Sequence, residues 1–124
     1  MGTIRVTVEL GHPEGARFEP IEALVDTGAS YSWVPAPTLA LLGIAPTRRF
    51  PFVLADGRRI EKDMAETRIR LDGQEQTTWV VFGDADSQPL LGAYTMEGFG
   101  LAADPVNRRL MAVPGLLMSM SGPF

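Results

Sequence analysis

Ala23-Leu24-Val25-Asp26-Thr27-Gly28-Ala29-Ser30 is the stretch on which the reading of this chain turns. Three apolar residues deliver an acid to the end of a predicted strand, and a small hydroxyl, a glycine and an alanine follow. A carboxylate at such a place is partly desolvated, and hydrogen bonds from nearby amides offset that cost. Gly28 lets the backbone approach the carboxylate closely, and Thr27 can brace the loop with its hydroxyl. The same triplet also makes an ordinary strand-end turn in which Asp26 bonds its own backbone.

Working outward, the chain alternates and turns. Ile4, Val6, Val8 and Leu10 alternate with Arg5, Thr7 and Glu9 as in a half-buried strand, and Gly11 to Gly15 break it. Phe18 to Val25 is a second strand, Ser32 to Val34 a third, and Pro37 to Leu42 one or two helical turns closed by Gly43. Phe50 to Leu54 and Arg58 to Lys62 flank Ala55-Asp56-Gly57, a hairpin signal, since tight turns need positive φ. Ala65, Thr67, Ile69 and Leu71 form another strand, which turns at Asp72-Gly73 into Thr77 to Phe82. Leu90-Leu91-Gly92 is short and apolar, Tyr94 to Gly98 suits one helical turn, and Leu101 to Asp104 and Arg108 to Val113 read as the last strands. The expected fold is all-β, seven to nine short strands in one domain over residues 1–124, with a short helix near the C-terminus.

Composition narrows the chemistry. The chain has 124 residues, 13 glycines, 10 prolines, no cysteine and one histidine, with a net charge of −4. That length fits one core. Without cysteine there are no disulfides, thiolate metal sites or thiol nucleophiles, and a lone His12 in a polar turn rules out a multi-histidine metal cluster within the chain. Acidic residues outnumber basic ones, which argues against a nucleic-acid partner. No apolar run approaches the about 20 residues that span a bilayer, and the N-terminus alternates where a signal peptide would not. The expectation is a cytoplasmic protein with no membrane partner, no metal and no cofactor, working through carboxylates, hydroxyls or backbone.

The loop resembles the active-site loop of the retropepsin-like aspartic proteases, in which an apolar run precedes Asp-Thr-Gly-Ala. Two further landmarks stand in the family's order: the hairpin at Asp56-Gly57, and Leu90-Leu91-Gly92 ahead of the helix signal at Tyr94. The closing run Gly100 to Leu110 is similar to the last strands of bacterial single-domain members. The resemblance covers about residues 3 to 113. It implies a closed, barrel-like domain that works as a dimer, Asp26 as the catalytic residue, and Thr27, Gly28 and Ala29 as its supporting loop. It further implies a substrate-binding flap at Leu54, Ala55, Asp56, Gly57 and Arg58, with Leu90, Leu91 and Gly92 packing under the site.

The chain holds one Asp-Thr-Gly, and the family's chemistry needs two carboxylates. The resemblance therefore implies a homodimer that brings two Asp26 side chains across a two-fold axis. Carboxyls about 3 Å apart share one proton, and together they activate a water against a peptide bond of a protein or peptide substrate. The alternative is a catalytically silent dimerisation or peptide-binding module on the same fold. Viral members carry an acid at the position of Ser30 and an arginine at that of Ala93, and their flaps are rich in glycine where this chain has Asp56. The strand Thr3 to Leu10 and the tail 116–124, apolar from Leu116 to Met120, are candidates for the dimer interface, the alternatives for the tail being a fold back over its own core or a disordered end. Trp33, Trp79 and Phe82 are expected in the core. The basic pairs Arg48-Arg49, Arg58-Arg59 and Arg108-Arg109 are expected as solvated turn faces, and the alternative for Arg58 and Arg59, beside the flap tip, is a bias towards acidic substrates.

Overall fold

The computed structural model describes residues 3–114, and its elements follow the punctuation of the chain. β1 (Arg5–Gly11) and β2 (Phe18–Val25) pair antiparallel, with Arg5 opposite Leu24 and Gly11 opposite Phe18. Alternation along them turns Val8, Leu10 and Ala23 inward. β3 (Ser32–Pro35) runs into α1 (Ala36–Leu41), which carries Pro37 in its first turn, where the missing N–H costs nothing. Gly43, at φ +75°, ends that turn in the left-handed region.

β4 (Arg48–Val53) and β5 (Arg59–Leu71) form the next antiparallel hairpin. The sequence reads as two strands, Arg58 to Lys62 and Ala65 to Leu71, but β5 is continuous through Lys62-Asp63-Met64. The physical reason is a handover of partners: β5 pairs with β4 over Arg59–Met64, with β6 (Gln74–Gly83) over Met64–Leu71 and with β1 over Arg68–Arg70. No residue between the two runs lacks a neighbouring strand, so nothing interrupts the ladder. The β5–β6 connection is the two-residue turn Asp72-Gly73, with φ of 52° and 78°, as a primed hairpin turn requires.

β7 (Leu90–Leu91), α2 (Ala93–Phe99), β8 (Leu101–Asp104) and β9 (Arg109–Ala112) complete the described chain. α2 is the short helix expected near the C-terminus, and α1 is a second one. β7 pairs parallel with β2 and antiparallel with β3, while β3 pairs parallel with β6. The pairings run β1-β2-β7-β3-β6-β5 and return to β1; β4 stands outside this circuit. Inside it lie Val8, Leu10, Leu39, Ala65, Ile69, Val80 and Leu91, all essentially inaccessible. Met96 and Phe99 of α2 close the core, and Phe82 packs against it part-buried. β8 and β9 form a separate two-stranded sheet. The candidate dimer-interface tail, residues 116–124, lies outside the described residues.

Candidate active site

The strand β2 delivers Asp26 with its backbone tied on both sides. Val25 N donates to Ile4 O (2.8 Å), and the flanking amides Leu24 N and Asp26 N donate to Pro89 O and Leu91 O (2.9 Å each). The loop then closes on the carboxylate: Gly28 N donates to Asp26 Oδ1 at 3.0 Å, and Ala29 N donates to Asp26 O at 3.1 Å. Asp26 itself is half-buried, and Thr27 and Gly28 are exposed. Oδ2 makes no hydrogen bond among the described residues, so one carboxylate oxygen is anchored and the other is available for chemistry.

The far side of the loop is fastened to the start of α2. Ala93 N donates to Ala29 O and Tyr94 N to Ser30 O, both at 2.9 Å. Ser30 and Ala93 each take part in one of these main-chain bonds, which join the two segments. Leu91 and Gly92 are buried directly beneath, and Leu90 is half-buried. The structure thus brings Asp26, Thr27, Gly28, Ala29, Leu90, Leu91 and Gly92 into one assembly.

A chain of buried hydroxyls lies under that assembly. Gly92 N donates to Ser32 Oγ (3.0 Å); Ser32 Oγ is 2.7 Å from Thr95 Oγ1, which is 2.8 Å from Thr78 Oγ1. All three side chains are buried. Buried hydroxyls hold their places by satisfying one another, so this chain locks β3, β6 and α2 together under the loop. Nothing in the sequence marks these residues out, apart from single hydroxyls interrupting apolar strands.

The hairpin at 54–58 is a tight turn at the end of β4–β5. Leu54 N donates to Arg58 O (2.8 Å) and Gly57 N to Leu54 O (2.9 Å), with Gly57 at φ +89°. Asp56 accepts from Arg58 N (3.0 Å) on Oδ1 and from Arg58 Nε (2.7 Å) on Oδ2. The Arg58 amide, and after it the guanidinium, hold the Asp56 carboxyl below its ordinary value. Leu54 is half-buried; Ala55, Asp56, Gly57 and Arg58 are exposed. Among the described residues no hydrogen bond joins this turn to residues 26–30.

The link between hairpin and loop is aromatic instead. Tyr31 meets Phe50 and Phe52 of β4 edge-on, with centroids 6.0 and 6.4 Å apart, and Trp33 lies 5.5 Å from Phe52. Trp33 and Trp79, expected in the core, are only half-buried: each faces a cation, Lys62 over Trp33 and Arg48 over Trp79. Ser32 and Val34 take the inward side of β3, which leaves Trp33 on its outer face. The expected basic faces are partly spent on ion pairs, with Arg49 on Glu61 and Asp63 and Arg58 on Asp56. His12 accepts from Glu14 N in its own turn.

Comparison with known proteins bears on the family and the fold. The chain is similar in structure to the EIAV protease complexed with the inhibitor HBY-793, with a TM-score of 0.59 at 18% identity, over 80% of this chain and 89% of that one. No curated protein matches the sequence. The sequence profile described as "Aspartyl protease" matches residues 5–95, a span that takes in the Asp26 loop, the β4–β5 hairpin, β7 and the start of α2. Well over half the chain is covered, and on that ground it belongs to the aspartyl protease family, with a retropepsin-like, mostly β fold.

Proposed function

We propose that the protein is an aspartic endopeptidase, active as a homodimer in which each protomer contributes Asp26. The observation that carries this reading is the anchoring of Asp26: its backbone is tied to β7 and one carboxylate oxygen to Gly28 N, while the second oxygen is unbonded among the described residues. A single half-buried carboxylate cannot both accept and supply a proton at once, and a two-fold partner provides the second. The strand circuit is then a closed, barrel-like domain presenting one half of a shared site.

In this reading the pair holds one proton. The ionised carboxylate takes a proton from a water between them, the water oxygen attacks the scissile carbonyl carbon, and the protonated carboxyl gives its proton to the carbonyl oxygen. Collapse of the tetrahedral diol breaks the C–N bond, and a carboxyl returns a proton to the leaving amine. The turn at Leu54 to Arg58 acts as the flap, using main-chain groups to bind an extended peptide and exclude water.

The test is cleavage of a diverse peptide mixture at high protein concentration from about pH 3 to 7, beside an identically purified Asp26→Asn variant. Cleavage by the wild type alone is the expected result. Equal cleavage by both would remove Asp26 from the mechanism. Absence of cleavage by a stable wild-type dimer would leave a peptide-binding module on the same fold.

A further inference from the structure

A cavity of about 580 Å³ opens beside the β4–β5 hairpin, clear of the Asp26 loop, none of whose residues lines it. That volume suits a small-molecule ligand. Its apolar surface comes from Ala36, Pro37 and Ala40 of α1 and from Phe82 near the end of β6; its charge comes from Arg49, Glu61, Lys62, Asp63 and Asp84. Arg49 is spent: Nε meets Glu61 Oε1 at 3.3 Å, and its two terminal nitrogens donate to Asp63 Oδ1 at 3.0 Å and to Glu61 O at 3.3 Å. Lys62 is not. Its ammonium has three donors and a single acid partner among the described residues, Asp84 Oδ1 at 3.3 Å. The Lys62 side chain is 22% exposed and that of Asp84 81%. The lysine is therefore seated, while the aspartate can turn into solvent at small cost, since a pair with so exposed a member contributes little.

Charge balance then limits what fits. With three acids facing two bases, a lone anion competes with Asp84 and adds to an acidic excess, and a lone cation meets Lys62. A ligand bearing both charges, inserted between Lys62 and Asp84, gives each a new partner and leaves the balance unchanged. We propose that the cavity binds a free α-amino acid with an apolar side chain: its carboxylate accepts from Lys62, its ammonium donates to Asp84, and its side chain covers Phe82 and the α1 residues. Lys62 belongs to the hairpin and Asp84 to the segment after β6, so the bound amino acid joins the two. The site is independent of Asp26 and of the endopeptidase reading.

The experiment titrates the full chain with L-leucine, glycine, 4-methylpentanoate and isoamylamine, following the amide NMR signals of Ala40, Gly83 and Asp84. Leucine is expected to saturate these shifts with a Kd of about 1 mM or lower. Glycine, which lacks the side chain, and the two analogues that each lack one charge are expected to need at least about tenfold more. Lys62→Met keeps an apolar stem beside Trp33 and is expected to abolish the response. Asp84→Asn, an exposed change that spares the fold, is expected to weaken leucine at least about tenfold. Ala40→Leu, which fills the cavity and keeps both charges, is expected to weaken it as well. Equal response to all four compounds overturns the site, as does wild-type affinity in Lys62→Met. Tighter binding of 4-methylpentanoate than of leucine overturns the role of Asp84, and no saturable shift with leucine overturns the proposal as a whole.

Discussion

Gly92 runs so close to Tyr31 that a Cβ at position 92 would stand 2.5 Å from both the carbonyl carbon and the carbonyl oxygen of Tyr31. The obstacle is backbone that is itself continuous with the Asp26 loop, so no side-chain rotation relieves it. Gly92→Ala is therefore expected to lower stability by about 3 kcal/mol, at the upper end of overpacking costs, and to displace the Asp26 loop. Urea unfolding checks this; an unchanged midpoint would show that the two segments can part without cost.

Thr95 bridges Ser32 and Thr78 through one hydroxyl. Thr95→Val keeps the volume and leaves both partners short of a bond in a dry environment, at an expected cost of about 1–3 kcal/mol. Thr95→Ser, which restores the hydroxyl, should recover most of the loss. Destabilisation by Thr95→Ser with Thr95→Val left at the wild-type midpoint would point to the methyl group and away from the hydroxyl chain.

Asp26→Asn retains a carbonyl oxygen to accept from Gly28 N, so the loop keeps its anchor. Its unfolding free energy is expected to stay within about 1 kcal/mol of wild type, while any peptide hydrolysis is expected to be lost. A variant that unfolds well below wild type would mean that the charge, and not the oxygen, holds the loop.

Asp56 titrates below the ordinary aspartate value of 3.8 because Arg58 donates to both of its oxygens. A lowered folded value means that the turn's ion pair is fully present above 3.8 and is lost as pH falls through the folded value. The pair is solvent-exposed, so the effect belongs to the ordering of the turn. Carboxyl carbon NMR should place the Asp56 midpoint below 3.8, and Arg58→Gln should move it upwards. An unmoved midpoint in that variant would leave the main-chain amide as the sole cause.

If two chains share the site, specific activity should rise with protein concentration. Adding an equal amount of Asp26→Asn chain to wild type under exchange should lower the activity to about half, as mixed dimers form by mass action. Activity indifferent to the variant would show that one chain suffices.

Much of the fold is legible in the sequence because half-buried strands announce themselves by alternation and tight turns by glycine. Phe18 to Val25 and Asp72-Gly73 are cases in which local chemistry alone decides the outcome. The continuity of β5 is not legible, since Asp63 and Met64 fall between two strand patterns until β4 and β6 are seen to overlap at Met64. The Asp26 loop is read directly from its order of residues. Its support is harder: Ser32, Thr78 and Thr95 are polar in composition and buried in fact, and their mutual satisfaction depends on partners far apart in the chain. Trp33 misleads in the opposite sense, because a large aromatic on a short strand reads as core, while the pleat turns Ser32 and Val34 inward in its place.

The bonds from Leu24 and Asp26 to Pro89 and Leu91, and those from Ala93 and Tyr94 back to the loop, span most of the polypeptide. A growing chain that has not yet emerged past residue 94 therefore has the aspartate and lacks what holds it. Such long-range closure comes late in folding. The acid is therefore made well before the residues that fix its position, and the loop takes its final geometry only once the segment from Pro89 to Tyr94 has followed it.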